Sequence, residues 1–96
     1  MYYVYVLKSL DKGRLYIGYT HSLDDRVKEH NGGKVRSTKA YRPYKVVYSE
    51  KYDDKTEARK REIFLKSGQG RKILKDLILA KTKDESQSEG DSNQVN

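Results

Sequence analysis

Two short runs near the N-terminus constrain the fold more than any other feature: Tyr2-Tyr3-Val4-Tyr5-Val6-Leu7 and Arg14-Leu15-Tyr16-Ile17-Gly18-Tyr19. Both are built from β-branched and aromatic residues, which suit a pleated surface. Asp11-Lys12-Gly13 between them is turn chemistry. The pair reads as a β-hairpin. Nearly every position is apolar or aromatic, rather than every second one, so both faces of the sheet are expected to be covered.

The remaining elements follow from their start and stop signals. Ser22 with Asp25 three residues on predicts a capped helix from Leu23 to His30, ended by Asn31-Gly32-Gly33. Residues 34–42 are polar, basic and aperiodic, and read as a surface loop. Pro43 precedes a third strand, Tyr44 to Tyr52, and Asp54 with Glu57 opens a second helix through Lys66. Gly68 and Gly70 break that helix, and Ile73, Leu74, Leu77 and Ile78 predict a third from Arg71 to Ala80. The order β-β-α-β-α-α implies an α+β fold with a three-stranded sheet flanked by helices. One domain is expected over residues 1–81, followed by an acidic, Ser/Gln/Asn-rich tail over 82–96 that is expected to be disordered.

Composition narrows the function. With no cysteine, disulfides and cysteine-ligated zinc are excluded, and His21 and His30 cannot make a structural zinc site by themselves. No apolar run reaches the roughly 20 residues of a membrane span, and the N-terminus lacks a signal-peptide layout, so a cytoplasmic location is expected. The formal charge is +7, but the last 13 residues hold four acids and no Lys or Arg. Residues 1–83 therefore set 21 basic against 10 acidic side chains, a formal +11. So basic a body points to a polyanionic partner, nucleic acid first; a solvated basic surface is the plainer alternative.

Several residues fit poorly with a purely structural role. Tyr5 and Tyr16 fall close together if the hairpin pairs, either as cross-strand packing or as two phenols that orient water or phosphate. Arg26 and His30 lie at i and i+4 on the first helix. They form an exposed basic edge, or else a phosphate-gripping guanidinium beside a proton-exchanging imidazole. Glu62 shares the apolar stripe of Ala58 and Leu65, where a carboxylate needs a basic side chain, an arginine for example, or a divalent cation of the magnesium type. Gly18 within a strand marks a bulge or a close approach that clears room for substrate. In the basic loop, Lys34, Arg36, Lys39 and Arg42 interleaved with Ser37, Thr38 and Tyr41 suit phosphate contacts and base stacking, although a solvated loop would look the same.

These residues together resemble the GIY-YIG nuclease superfamily, especially its short stand-alone bacterial YhbQ-like members. The matching segments are Tyr3-Val4-Tyr5 in place of Gly-Ile-Tyr, Tyr16-Ile17-Gly18 intact, Arg26 followed by His30-Asn31-Gly32-Gly33, Arg42-Pro43, and Glu57-Ala58 leading to Glu62. The resemblance covers about residues 2–70 and implies a three-stranded antiparallel sheet flanked by helices. It also implies roles: Tyr5 and Tyr16 as the motif tyrosines, Arg26 on the scissile phosphate, Glu62 as ligand to a single Mg2+ or Mn2+, and His30 assisting the nucleophile. Tyr3 departs from the first motif glycine, and Tyr19 stands where some repair members carry a lysine. Family members usually rely on a targeting domain, which implies a protein partner for this chain. The expected activity is metal-dependent phosphodiester hydrolysis in nucleic acid, DNA foremost, in repair or recombination. The alternatives are a nucleic-acid-binding module of the same fold and a protein adaptor using the tyrosine-rich sheet.

Overall fold

A computed structural model describes the backbone over residues 1–90 and the side chains over 1–81. Strands β1 (Tyr2–Ser9), β2 (Leu15–Thr20) and β3 (Tyr44–Tyr52) form an antiparallel sheet in the order β2-β1-β3. Helices α1 (Leu23–Asn31), α2 (Lys55–Lys66) and α3 (Gly68–Gly90) complete the expected β-β-α-β-α-α order.

The central strand explains why its sequence is apolar throughout. Val4 and Val6 point to one face and pack with Ile17, Ala58, Leu65 and Leu74, beneath α2 and α3. Tyr5 and Leu7 point to the other face and pack with Tyr44, Tyr16, Leu23 and Val27, beneath α1. Side chains alternate along a strand, so two cores on opposite faces require this unbroken run. A bulge at Val47 lies between the Val6↔Tyr48 and Leu7↔Val46 pairs.

Helix boundaries follow local chemistry that differs in part from expectation. Asp54 caps α2 as expected, accepting from the Glu57 N–H at 2.8 Å. Ser22 does not cap α1: its hydroxyl donates to Asp25 Oδ2 at 2.9 Å instead of accepting from the backbone. The α2–α3 break is set by Ser67, which bonds both helices. Its hydroxyl donates to Phe64 O and accepts from Gly70 N. Helix α3 therefore starts at Gly68 rather than Arg71, and Gly70 lies inside its first turn. It also continues past Ala80 to Gly90, because Lys, Asp, Glu and Gln after Leu79 are helix-compatible and no Pro or Gly intervenes before Gly90. The expectation of a disordered tail falls at the limit of the described residues: the backbone of 82–90 is helical, their side chains are not described, and 91–96 lie outside the description.

One network joins α2 to the sheet. Glu50 on β3 takes a two-pronged grip from Arg61, with Nε–Oε1 and Nη2–Oε2 both 3.0 Å, and accepts from the Tyr48 and Tyr52 hydroxyls. Burial alone would raise the Glu50 carboxyl, but these donors outweigh it and hold it below its usual range. Arg61 thereby fixes the rotation of α2, and with it the direction of the adjacent Glu62.

Gly70 makes the α2–α3 corner possible. A Cβ there would stand 1.9 Å from Phe64 O and 2.7 Å from Leu65 Cα, whereas Gly68 has open space around it. Gly70→Ala is expected to lower stability by about 3 kcal/mol through backbone overpacking. Gly68→Ala should leave stability unchanged or slightly raised. Urea unfolding of the two variants beside wild type checks both; equal midpoints would show that the corner relaxes freely.

Candidate active site

The site begins with register. β1 pairs with β2 so that Tyr5 faces Gly18 and Leu7 faces Tyr16. Tyr5 and Tyr16 are thus diagonal neighbours on one face, with ring centroids 6.2 Å apart. Gly18 makes room for the first of them: a Cβ there would lie 2.6 Å from Tyr5 Oη and 3.0 Å from Tyr16 Cε2. This close approach decides the reading of Gly18, since the space is taken by the protein's own phenol and no bulge breaks the β1–β2 pairing.

α1 lies across this face and delivers His30 and Arg26. Its C-terminal end is fastened by Asn31, whose side chain bonds the Tyr44 backbone twice: Nδ2 donates to Tyr44 O at 3.0 Å, and Oδ1 accepts from Tyr44 N at 2.6 Å. An amide supplies both a donor and an acceptor, as a strand backbone would. His30 is fully buried, so it is not an exposed helix edge. Tyr5 Oη lies 3.0 Å from His30 Nε2, and Thr38 Oγ1 lies 2.8 Å from Nδ1. The Tyr16 ring is also close, with centroids 4.8 Å apart.

Burial, followed by the field of Arg26, lowers His30 to about 4, so the imidazole is neutral at physiological pH. The expected exchange of protons near pH 7 does not hold for the resting molecule. Burial pushes the Tyr5 hydroxyl up to about 12; the Arg26 guanidinium beside it opposes the rise, while Tyr16 and Glu62 add to it. Arg26 is half-buried and bonds Glu29 Oε1 at 2.8 Å. That bond, with lesser contributions from Tyr5 and Tyr16, binds its proton more firmly than usual. Glu62 is 8% exposed, and its partner is Lys66 at 3.1 Å rather than an arginine. Tyr5, Tyr16 and His30 meet ring against ring, the Arg26 guanidinium acts on the Tyr5 hydroxyl, and Glu62 on α2 reaches that hydroxyl only as a weaker field.

Other residues border the site in roles the sequence does not disclose. Thr38, expected in an open loop, is 1% exposed and bonded to His30. Glu29 occupies Arg26, and Arg26, Glu29, Tyr19, Thr20 and Asp25 border a surface hollow. Arg59 Cζ stands 5.8 Å from the Tyr19 ring centroid, so a cation lies beside the residue that follows Gly18. Thr38 had a local signal in the Ser37-Thr38 pair between loop cations, which suits phosphate contact rather than burial. The loop cations separate in part from the site: Arg36, Lys39 and Arg42 line a second open hollow with Ala40. Arg42 also donates to Lys39 O at 2.9 Å. Lys34 is exposed outside that lining. Tyr41 is half-buried, and Arg14 Cζ lies 4.4 Å from its ring centroid, so one face of the ring expected to stack on a base is already covered.

A divalent ion would find the Glu62 carboxylate, Glu29 being held by Arg26. Among the described residues no group of three or more His, Asp or Glu could hold a metal. Mg2+ commonly keeps several waters and takes one or two carboxylates with substrate phosphates, so Glu62 fits an ion whose shell the substrate completes. Lys66 must yield its place on the carboxylate for this to happen.

A family model described as the GIY-YIG catalytic domain matches residues 1–74. A UPF0213 protein of Staphylococcus saprophyticus is 41% identical over 75 residues, covering 77% of this chain and 90% of that protein. One from Clostridium perfringens is 43% identical over 67 residues, covering 69% and 71%. The solution NMR structure of a UPF0213 protein from Bacillus halodurans is 34% identical and covers 80% of this chain and 85% of that one, with a TM-score of 0.49. No helix among the described residues is long and apolar enough to cross a membrane.

The buried imidazole makes stability depend on pH. His30 falls from its ordinary 6.5 to about 4 on folding, so the unfolded chain binds the extra proton between those values. The stability is fully present above pH 6.5 and is lost as pH falls towards 4, on the order of 3 kcal/mol. Urea unfolding at pH 7, 5.5 and 4.5 is expected to show this loss in wild type and a flatter dependence in His30→Gln. Parallel slopes for the two proteins would show that His30 is not the group responsible.

Proposed function

The chain belongs to the GIY-YIG catalytic-domain family of the nuclease superfamily, and from that premise we propose that it is a metal-dependent endonuclease hydrolysing phosphodiester bonds in nucleic acid, DNA foremost. What supports this most is the convergence on one buried hydroxyl. Tyr5 bonds His30, and the charges of Arg26 and Glu62 both act on it.

Tyr5 is almost wholly covered, whereas Tyr16 and Arg26 are half-buried, so substrate meets the latter two first. A phosphate docks on Arg26 through charge-assisted hydrogen bonds and takes over the place of Glu29. Tyr16 adds a phenolic donor at its edge. The Tyr5 oxygen receives the proton of the attacking water while its own proton passes to His30 Nε2. This direction suits neutral pH, where Tyr5 is protonated and His30 is neutral. The docked phosphate also cancels the field of Arg26, which after burial is what lowers His30. A divalent ion held by Glu62, water and phosphate oxygens would offset the charge that grows on the leaving oxygen. Lys34, Arg36, Lys39 and Arg42 hold the flanking backbone, with Tyr41 at the edge of that surface. A protein partner supplies targeting, and repair or recombination is the setting that suits such cleavage.

Cleavage of branched and linear DNA, and of RNA, with and without Mg2+ or Mn2+ tests the proposal. Wild type should cut only with metal. Glu62→Ala should cut at least about 100-fold more slowly while binding nucleic acid nearly as well. A Glu62→Ala protein that cuts at the wild-type rate would remove Glu62 from the mechanism. Salt-sensitive binding without any metal-dependent cutting would favour a binding module of the same fold.

A further inference from the structure

We propose that Thr38 is a positioning residue that fixes the tautomer of His30, so that Nδ1 carries the proton and Nε2 is left to receive the proton of Tyr5. The observation is a chain of buried polar groups running from the basic loop to the phenol. Thr38 and His30 are 1% and 0% exposed, so water cannot replace either partner. His30 Nδ1 is 2.8 Å from Thr38 Oγ1, Nε2 is 3.0 Å from Tyr5 Oη, and Thr38 Oγ1 is 3.3 Å from Val35 O.

Proton counting selects one direction along this chain. The Thr38 hydroxyl has one proton, and Val35 O at 3.3 Å stands to accept it, so Thr38 Oγ1 is left to accept from His30 Nδ1. The phenol's own proton has one acceptor within hydrogen-bond distance among the described residues, His30 Nε2. A neutral imidazole that accepts at Nε2 must donate at Nδ1, and Thr38 Oγ1 stands there to receive it. Thr38 in turn donates to Val35 O. In the opposite direction Nε2–H would donate to Tyr5, the phenol's proton would lose its acceptor, and the Thr38 hydroxyl would have to leave Val35 O for Nδ1.

The sequence position of Thr38 gives the arrangement its meaning. It lies between Arg36 and Lys39, which line the basic hollow with Arg42. The segment that carries the cations is thus the segment that orders the imidazole. Thr38 touches no reacting atom; it acts through His30.

Two measurements test this, and only the kinetic one rests on the nuclease reading. Long-range 1H–15N correlation of the imidazoles at neutral pH reads the tautomer directly. Wild type and Thr38→Ser are expected to show His30 protonated at Nδ1 alone, and Thr38→Val to show Nε2–H or a mixture. In cleavage assays Thr38→Val is expected to lower kcat roughly 10- to 100-fold with KM little changed, and Thr38→Ser to restore it. Nε2–H in wild type, or Nδ1–H alone in Thr38→Val, overturns the assignment. If Thr38→Val does not fold, the spectra of wild type and Thr38→Ser decide. If wild type cuts nothing, the nuclease reading fails by itself and the spectra still decide the role of Thr38.

Discussion

The structure depends on β1 being buried on both faces at once. Val4 and Val6 anchor the α2–α3 side while Tyr5 and Leu7 anchor the α1 side, all at 1% exposure or less. A slip of one residue would exchange the two sets, putting phenol among the aliphatics and valine against His30. Register is therefore held by both cores together. The pairing of Tyr5 with Gly18 is a direct result of that register, and the packing of the site on that result.

From this frame the site is assembled by attachments at some distance from it. Arg61 grips Glu50 and so turns α2; Asn31 grips the Tyr44 backbone and so seats α1. Each attachment uses groups with fixed geometry, a guanidinium fork or an amide, which transmit orientation better than apolar contact does. The groups they orient are few: two phenols, an imidazole and a guanidinium on the α1 side, and the Glu62 carboxylate on α2. Its capacity lies in the shift of ordinary acidities by burial, with Tyr5 raised and His30 lowered.

Much of this was legible in the sequence. The runs around Val4 and Ile17 announced strands, Asp54 announced a helix start, and the spacing of Ala58, Glu62 and Leu65 placed a carboxylate on the inner side of α2. The rest depended on tertiary contacts. Spacing shows that Arg26 and His30 share a helix side, but not that the sheet covers one and leaves the other half open. Ser67 and Asn31 belong to residue types common in loops and helix ends, and their task appears only once Gly70 and Tyr44 are brought beside them. Thr38 looked like part of a solvated loop because polarity alone does not reveal a buried partner 8 residues away.

The ion pair between Arg26 and Glu29 has a consequence for selectivity. Glu29 engages the guanidinium through one amino nitrogen, Nη1, at 2.8 Å. An anion that takes that nitrogen displaces a carboxylate, so its gain there is the difference between two anions rather than the full attraction of one. Weakly bonding ions such as chloride gain almost nothing by such a trade, whereas a dianionic or doubly contacting oxyanion does. The molecule thus carries its own competitor for that one nitrogen.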